Sequence, residues 1–205
     1  IDHLTRIGKV ALPPIQPILA ADPTQYYRNK LEFTCAEGRW LTTAEASTGE
    51  FFDPRAIGFH VPGRFDKVLP IRHCYLQPDP SNAIRLAVTD YVFQHNVSLY
   101  NLKTHTGFLR TLIIRTASSG QVMVTVQVAQ DEPELLAGLM HFLQASFPAI
   151  TSLNYILNTK KNDSYQDQDV VNWAGQPYIE ETMDDGSGQP LVFRVGPKSF
   201  YQTNA

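Results

Sequence analysis

Two apolar stretches joined by a short polar turn constrain the fold of this chain more than any other feature. Residues 108–116 and 121–129 flank the turn Ala117–Gly120, and the pattern is typical of a β-hairpin. One face of the second stretch carries a row of valines, namely Val122, Val124, Val126 and Val128. Because both stretches are apolar at most positions, we expect them at the centre of a sheet. Arg110 and Arg115 have opposite parity along the first strand, so at most one of them is expected to face a given ligand.

Alternating and periodic segments around this hairpin predict more strands and two helices. Residues 26–36 alternate between apolar and polar side chains, and Pro62-Gly63 divides residues 56–71 into a second hairpin. Helices are predicted from about Asp79 to Asn96 and from Asp131 to Phe147, because apolar residues recur there at helical spacing. The expected fold class is therefore α+β: an antiparallel sheet built of hairpins, with two main helices on one face.

The remaining segments are predicted to form a linker, two loops and a last pair of strands. Residues 11–23 contain four prolines, which fix φ and remove backbone donors, so this segment is expected to be an extended linker. Residues 37–55 and 158–173 lack clear periodicity and are predicted to be loops. Residues 176–183 and 190–195 flank a strong turn sequence and predict another hairpin.

Composition and charge exclude some classes of protein without identifying one. The hydrophobic share is 43% and the charged share is 18%, which are ordinary values for a globular protein. We expect no membrane span, because no apolar run approaches the roughly 18 residues that one requires. With only Cys35 and Cys74 there is no disulfide framework, so the cytoplasm is the expected location. The net charge of −3 divides into +3 over residues 1–115 and −6 over residues 116–205, so composition alone does not require a nucleic-acid partner.

Motifs that carry catalytic chemistry are missing from the sequence. The chain has no HExxH, no CxxC, no glycine-rich phosphate loop and no nucleophile elbow. Its six histidines are scattered, and none has a partner at a suggestive spacing. A catalytic set therefore cannot be assembled from the residue pattern.

Two groups of basic residues are candidate RNA contacts. Arg28 and Lys30 share the polar face of the strand predicted over residues 26–36, where they would either contact a phosphate backbone or form a solvated surface. Arg64 and Lys67 flank Phe65 near the tip of the second predicted hairpin. An aromatic side chain between cations can stack on a base while the cations hold phosphates. The alternative for this group is a loop tip with one partly buried phenylalanine.

Six segments together resemble a known family, the S-adenosylmethionine-dependent RNA uridine-5-methyltransferases, which make 5-methyluridine in 23S ribosomal RNA and in tRNA. The segments occur in the family's order and are LTRIGKV (4–10), YYRNKLEF (26–33), IGFHVPGRFDKVLPIRHCYLQP (57–78), GFLRTLIIR (107–115), GQVMVTV (120–126) and FRVGPKSFYQTN (193–204). The pair YYRNK and PKSFYQTN is the most specific part of the match. The ribosomal-RNA branch is closer than the tRNA branch, because Cys74 fills an iron–sulfur-type cysteine position.

The resemblance implies roles for individual residues. Cys74 would be the fourth ligand of a [4Fe–4S] cluster, whose other three cysteines this chain lacks. Gln202 would contact the methyl donor S-adenosylmethionine, because an amide can donate and accept without adding charge beside a sulfonium. Lys198 would contact RNA, and Phe200 and Tyr201 would wall the pocket of a base taken out of its stack.

The family chemistry also implies what this chain would not contain. A cysteine thiolate adds to C6 of uracil, and a carboxylate then helps to remove the C5 proton after methyl transfer. Neither group matches a position in this chain, so no catalytic residue is assigned and both are expected beyond residue 205.

The resemblance also divides the chain into three parts. Residues 1–20 would end an N-terminal region, residues 21–192 would form a central α+β domain that engages RNA, and residues 193–205 would begin a Rossmann-like catalytic domain. Phe193 and Val195 would complete the central sheet. The chain would then be an inactive fragment of an RNA methyltransferase whose partner is RNA, 23S ribosomal RNA in the first place, with no DNA and no membrane. The alternative is a non-catalytic α+β RNA-binding or adaptor domain.

Overall fold

A seven-stranded sheet forms the centre of the computed structural model, which describes residues 1–21 and 23–202. The strands of this sheet are β1 (Lys30–Glu37), β2 (Arg55–Val61), β3 (Arg64–Pro70), β4 (Leu109–Thr116), β5 (Val122–Val128), β6 (Ile150–Leu157) and β7 (Val170–Gly175). They lie in the order β3-β2-β1-β4-β5-β6-β7. The predicted central hairpin is confirmed, because β4 and β5 pair near the middle of this order. A separate two-stranded sheet pairs β8 (Ile179–Asp184) with β9 (Pro190–Val195).

Two long helices cover one face of the seven-stranded sheet. Helix α2 (Ser81–Gln94) precedes β4, and helix α3 (Pro133–Ser146) connects β5 to β6. Strands β5 and β6 form the one parallel pair of this sheet, and parallel neighbours need a crossover connection such as α3. All other neighbouring pairs are antiparallel, so the predicted α+β class is confirmed. Two shorter helices are α1 (Thr43–Thr48) and a π-helical turn at His3–Ile7. Within residues 1–21 and 23–202, no helix is both long and apolar enough to cross a bilayer.

The main core lies between this sheet face and helices α2 and α3. Strand β1 contributes Leu31, Phe33 and Cys35 at alternate positions, which confirms the predicted alternation. Helix α2 contributes Ile84 and Val88 from its apolar stripe. The other side chains of β1 point to the opposite face of the sheet, because side-chain direction alternates along a strand. That second face carries the candidate site.

The structure corrects three predictions. Residues 37–55 are not all loop, because Thr42 and Glu45 form a capping box that starts α1. Residues 158–173 are not all loop either, since β7 begins at Val170. The strand carrying Phe193 does not complete the central sheet, because within the described part of the chain β9 pairs with β8 alone.

Candidate nucleic-acid interface

The last described segment of the chain closes a cavity at one end of the second sheet face. The cavity has a volume of about 370 Å³. It lies where β1 begins and β4 ends, because Lys30 and Arg115 are paired across these two strands. Its lining residues are Lys30, Arg115, Tyr165, Gln166 and the run from Pro197 to Gln202. The cavity therefore brings together residues that are far apart in sequence.

A tight turn after β9 presents the closing segment. The backbone N–H of Ser199 donates to the carbonyl of Gly196 at 3.1 Å, and the N–H of Gly196 donates to Oγ of Ser199 at 2.9 Å. Pro197 occupies the second position of this turn, which suits its fixed φ. Asn29 then donates from Nδ2 to the carbonyl of Gln202 at 2.7 Å. The segment is thus held at both ends, with Lys198 and Phe200 between the two anchors.

The β8–β9 hairpin is fixed to the main sheet by Glu181, a carboxylate that is only 3% exposed. Its oxygens accept from the backbone N–H of Ser118 at 3.1 Å and from the N–H of Thr182 at 3.0 Å, and also from the hydroxyl of Ser118. An apolar contact of Ile179 and Val195 with Met123 adds to this anchor. The turn after β9 begins directly at Gly196. The position of the closing segment, Pro197 to Gln202, therefore depends on how these contacts hold the β8–β9 hairpin.

The cavity is basic and partly shielded from water. Arg115 is 3% exposed and donates from Nη2 to the carbonyl of Ser199 at 3.2 Å. Burial lowers the pKa of its guanidinium. Lys30 contacts Glu32 with Nζ and Oε1 at 2.6 Å, and the hydroxyl of Tyr165 donates to the same oxygen at 3.3 Å. Burial and then the Glu32 carboxylate raise the pKa of Tyr165, so its hydroxyl keeps its proton at neutral pH.

Five of the ten predicted site residues converge on this cavity: Lys30, Lys198, Phe200, Tyr201 and Gln202. Phe200 is 94% exposed, which is unusual for a phenylalanine and leaves its ring open to a partner. Tyr201 is half-buried, and burial followed by the nearby Glu181 carboxylate raises its pKa. Their contacts with RNA stay predictions.

The other predicted RNA contacts lie outside the cavity. Arg28 is half-buried just before β1 and is not among the lining residues. Arg64 and Phe65 begin β3 and are exposed, Phe65 by 71%, while Lys67 is half-buried. The structure therefore separates the predicted RNA contacts into a cavity group and a hairpin-tip group, and Arg28 belongs to neither.

The strand register places these two groups at the same end of the sheet. Thr34 of β1 lies opposite Gly58 of β2, and the two strands are antiparallel. The end of β2, which leads into the hairpin tip, therefore lies level with the start of β1 at Lys30. Neighbouring strands are about 4.8 Å apart, so β3 and β1 are separated by about 10 Å.

Arg110 and Arg115 both reach this second face, against the prediction from parity. The register between β4 and β5 shifts between Leu109 and Thr111, which marks a bulge. A bulge inserts one extra residue and changes the direction of the side chains that follow. Arg110 consequently lines a second cavity of about 250 Å³ together with Glu32, and its guanidinium lies 4.3 Å from the ring centroid of Tyr100.

Cys74 lies in the main core and is 4% exposed. Its backbone N–H donates to Asn82 Oδ1 at 2.8 Å, and Nδ2 of Asn82 donates to the Cys74 carbonyl at 3.1 Å. Residues 1–21 and 23–202 contain no group of three or more His, Cys, Asp or Glu side chains that could hold a metal ion. The described residues therefore do not fit an iron–sulfur cluster by themselves, and the role of Cys74 as a ligand stays a prediction.

The fit to S-adenosylmethionine is also incomplete. Gln202 lies at the edge of the cavity and is exposed, so its amide is free to reach a ligand. The cavity beside it carries Lys30, Arg115 and Lys198, whose positive charges oppose a sulfonium cation. Any complete donor site would need residues outside this cavity, and the contact of Gln202 with the donor stays a prediction.

Sequence reasoning does not identify several residues that build the site. Arg115 stands out in the sequence only as a strand residue of opposite parity to Arg110. Asn29 falls on the apolar face of its predicted strand and is indeed buried, but its role as an anchor for Gln202 has no local signal. Glu181 and Tyr165 lie in polar stretches whose interactions depend on the tertiary fold.

The chain is similar in sequence to proteins that are named RNA methyltransferases. No protein-family model matches the chain. A protein of Bacteroides thetaiotaomicron named an uncharacterized RNA methyltransferase is 51% identical over 208 residues, which cover 100% of this chain and 45% of that protein. Proteins with the same kind of name in Porphyromonas gingivalis and Chlorobaculum tepidum are 44% and 33% identical, and the alignments cover 44% and 42% of their lengths. The chain thus spans a little under half the length of these curated relatives.

A solved structure supports the fold. The crystal structure of the Pyrococcus abyssi tRNA (uracil-54, C5)-methyltransferase in complex with S-adenosyl-L-homocysteine matches with a TM-score of 0.64. The match covers 89% of this chain and 38% of that chain at 21% sequence identity, so it concerns the fold alone. The sequence resemblance to RNA methyltransferases is confirmed: over its full length, this chain is similar to a segment of proteins that carry that name.

Proposed function

We propose that this chain is the RNA-engaging part of an S-adenosylmethionine-dependent RNA methyltransferase that methylates C5 of a uridine. One observation carries the proposal. In a chain whose relatives are named RNA methyltransferases, two lysines, a buried arginine and three aromatic residues meet at one cavity. Cations and aromatic side chains in one groove are the combination that single-stranded RNA requires, since the cations track phosphates and the rings stack on bases.

The arrangement of the site favours contact with more than one nucleotide. Phe200 offers an exposed ring beside the half-buried Lys198. The hairpin tip offers a second exposed ring, Phe65, next to Arg64 at the same end of the sheet. A strand that passes from the cavity to the tip would meet an aromatic residue and a cation at each place. Tyr201, Lys67 and Arg28 would add to this surface.

Catalysis is assigned to residues outside this chain. The proposed reaction requires a cysteine thiolate that adds to C6 of uracil, so that C5 becomes nucleophilic enough to accept the methyl group. Both cysteines of this chain are buried, and burial strongly raises the pKa of the Cys35 thiol, so neither suits that role. We therefore propose that residues 21–192 form the RNA-engaging domain and that residues 193–205 lead into the catalytic domain. The chain by itself would bind RNA without methylating it.

The proposed substrate is 23S ribosomal RNA, with tRNA as the competing substrate. The sequence resemblance favours the ribosomal branch, whereas the solved neighbour is named for tRNA and shares only the fold. A [4Fe–4S] cluster in the full-length protein, with Cys74 as one ligand, belongs to the same proposal. Iron and sulfide analysis of the anaerobically purified full-length protein and of its Cys74→Ser variant tests that part.

The experiment that tests the function uses the full-length protein that contains this chain. The protein is incubated with isotope-labelled S-adenosylmethionine and with unmodified 23S ribosomal RNA or tRNA transcripts, and the RNA is digested for nucleoside mass spectrometry. We expect labelled 5-methyluridine in the ribosomal RNA. Labelled 5-methyluridine in tRNA alone would correct the substrate. RNA binding without methyl transfer to either transcript would favour the non-catalytic RNA-binding or adaptor alternative.

The covalent step has its own test. RNA that contains 5-fluorouridine has fluorine in place of the C5 proton, so an adduct between the cysteine and C6 cannot be resolved after methyl transfer. We expect a covalent protein–RNA complex that survives denaturing electrophoresis and requires S-adenosylmethionine. Peptide mapping should place the linkage outside residues 1–205. A linkage at Cys35 or Cys74, or no adduct with an RNA that is methylated, would contradict the assigned mechanism.

A further inference from the structure

We infer that Arg115, Lys30 and Lys198 form a binding site for one phosphate of the RNA backbone, with the buried Arg115 guanidinium as its anchor. The inference rests on the proposed function, because RNA is taken as the source of the phosphate. It goes further by naming the chemical group that the cavity holds and the residue that holds it.

Arg115 carries a buried positive charge that the described residues do not neutralise. The residue is 3% exposed, yet no carboxylate among residues 1–21 and 23–202 lies within ion-pair distance of it. Its Nη1 atom is buried and has no hydrogen-bond partner in the described part of the chain. A buried charge without a counterion is costly, and so is a buried donor without an acceptor. A bound anion would relieve both costs.

The surroundings of Arg115 supply the rest of an anion site. The guanidinium lines a cavity of about 370 Å³, which has room for a phosphate group and part of a nucleotide. Lys30 and Lys198 line the same cavity. Lys30 already has a partner in Glu32, at 2.6 Å, whereas the described residues give Lys198 no ion pair. The cavity therefore carries a net positive charge. The planar guanidinium of Arg115 can donate charge-assisted hydrogen bonds to the oxygens of a phosphate.

The Arg115 guanidinium is held in place by a hydrogen bond within the site. Nη2 of Arg115 donates to the carbonyl of Ser199, which belongs to the turn that presents Lys198. The arginine is thereby oriented before any ligand arrives, and the turn brings the lysine to the same cavity. Preorganised donors lose less entropy on binding than mobile surface lysines do.

The test compares RNA binding by the full-length protein and by three variants. Arg115→Met keeps the length of the side chain and removes its charge, Lys198→Gln removes the second free charge, and Lys161→Gln removes an exposed lysine that does not line the cavity. The probe is a short single-stranded oligouridylate, followed by fluorescence anisotropy at several salt concentrations. We expect Arg115→Met to weaken binding by about 10-fold or more, as for the loss of a charge-assisted hydrogen bond. For a single strand, the slope of log Kobs against log[salt] should fall by about 0.7 for each phosphate that the variant no longer neutralises.

Chemically altered RNA locates the phosphate. Replacing one linkage at a time by an uncharged methylphosphonate should weaken binding of the wild-type protein at one linkage and leave the Arg115→Met variant insensitive at that linkage. Equal effects in both proteins at every linkage would overturn the assignment. Circular dichroism of Arg115→Met guards against a folding defect, and Arg115→Lys should recover the salt slope while recovering only part of the affinity.

Three further outcomes distinguish RNA from free phosphate as the ligand, and failure of the phosphate site from failure of the proposed function. If inorganic phosphate raises the melting temperature of the wild type but not of Arg115→Met, while RNA affinity is equal in both, the site takes a free phosphate and the RNA assignment is wrong. If RNA affinity of the two cavity variants equals that of Lys161→Gln while methyl transfer by the wild type is normal, the phosphate site fails and the proposed function stands. If binding falls as expected but no RNA is methylated, the phosphate site stands and the proposed function fails.

Discussion

Removing the Glu181 carboxylate should loosen the β8–β9 hairpin and the segment that follows it. In Glu181→Ala, the backbone N–H groups of Ser118 and Thr182 and the hydroxyl of Ser118 are left without their acceptor. Ser118 and Thr182 are exposed residues, so water reaches these donors, and the loss is that of hydrogen bonds to a charged group rather than of buried donors. Such bonds contribute about 1.5–3 kcal/mol, and we expect a total cost of about 3 kcal/mol. Each 1.4 kcal/mol corresponds to a tenfold change in an equilibrium constant, so local opening should become about 100-fold more frequent.

Amide hydrogen exchange of the full-length protein measures this effect at the hairpin itself. Peptides that contain Ser118 or Thr182 should exchange about 100-fold faster in Glu181→Ala if exchange follows local opening. The matched control is Glu180→Ala, because Glu180 lies on the same strand and its side chain makes only a surface contact of 3.6 Å with Arg194. A surface pair of this kind contributes about 0–1 kcal/mol. Equal exchange in the two variants would refute the anchoring role of Glu181.

Three further predictions concern other parts of the chain. Arg110→Met removes the guanidinium that donates to three carbonyls and one carboxylate in the loop after β6. Limited proteolysis of that loop should therefore become about 10-fold faster or more. An unchanged rate of cleavage would contradict this prediction. The hydrogen bond from Arg55 holds the pKa of Asp53 below its ordinary value. This interaction therefore stabilises the folded protein fully above the unfolded-state pKa of about 4, and the stabilisation is lost as pH falls through the lower folded-state pKa of Asp53. Asp53→Asn should flatten this acid dependence of unfolding, and an unchanged profile would contradict the assignment. Phe65→Ala should weaken binding of single-stranded RNA by about 5-fold to 100-fold, as for the loss of one stacked base, whereas Phe51→Ala, which is also exposed, should bind normally.

Sequence patterns predicted the central elements well because burial there imposes a clear period. Strand β1 buries every second side chain, and β4 and β5 are buried at nearly every position and apolar at half or more of them, so alternation and turn chemistry identified them. Strand β7 was missed because it lies at the edge of the sheet and its residues are all half-buried or exposed. Helix α1 did have a local signal, the Thr42 and Glu45 capping box, which a search for short motifs would find.

The candidate site could be predicted only in part, because long-range contacts assemble it. The roles of Lys198, Phe200, Tyr201 and Gln202 came from the family resemblance, and no periodicity relates them to Lys30. Their convergence depends on contacts such as Asn29 with Gln202, which are 173 positions apart. The position of Arg110 on the same face as Arg115 depends on a bulge, which counting by twos along the strand does not anticipate.

Photocrosslinking shows whether the cavity end of this chain contacts RNA. The full-length protein is bound to RNA carrying 4-thiouridine, irradiated, digested, and searched by mass spectrometry for peptides linked to a nucleotide. We expect crosslinks in the segment from Lys198 to Gln202, centred on the exposed ring of Phe200, and their disappearance in Phe200→Ala. Crosslinks confined to helices α2 and α3, on the opposite face of the sheet, would contradict it.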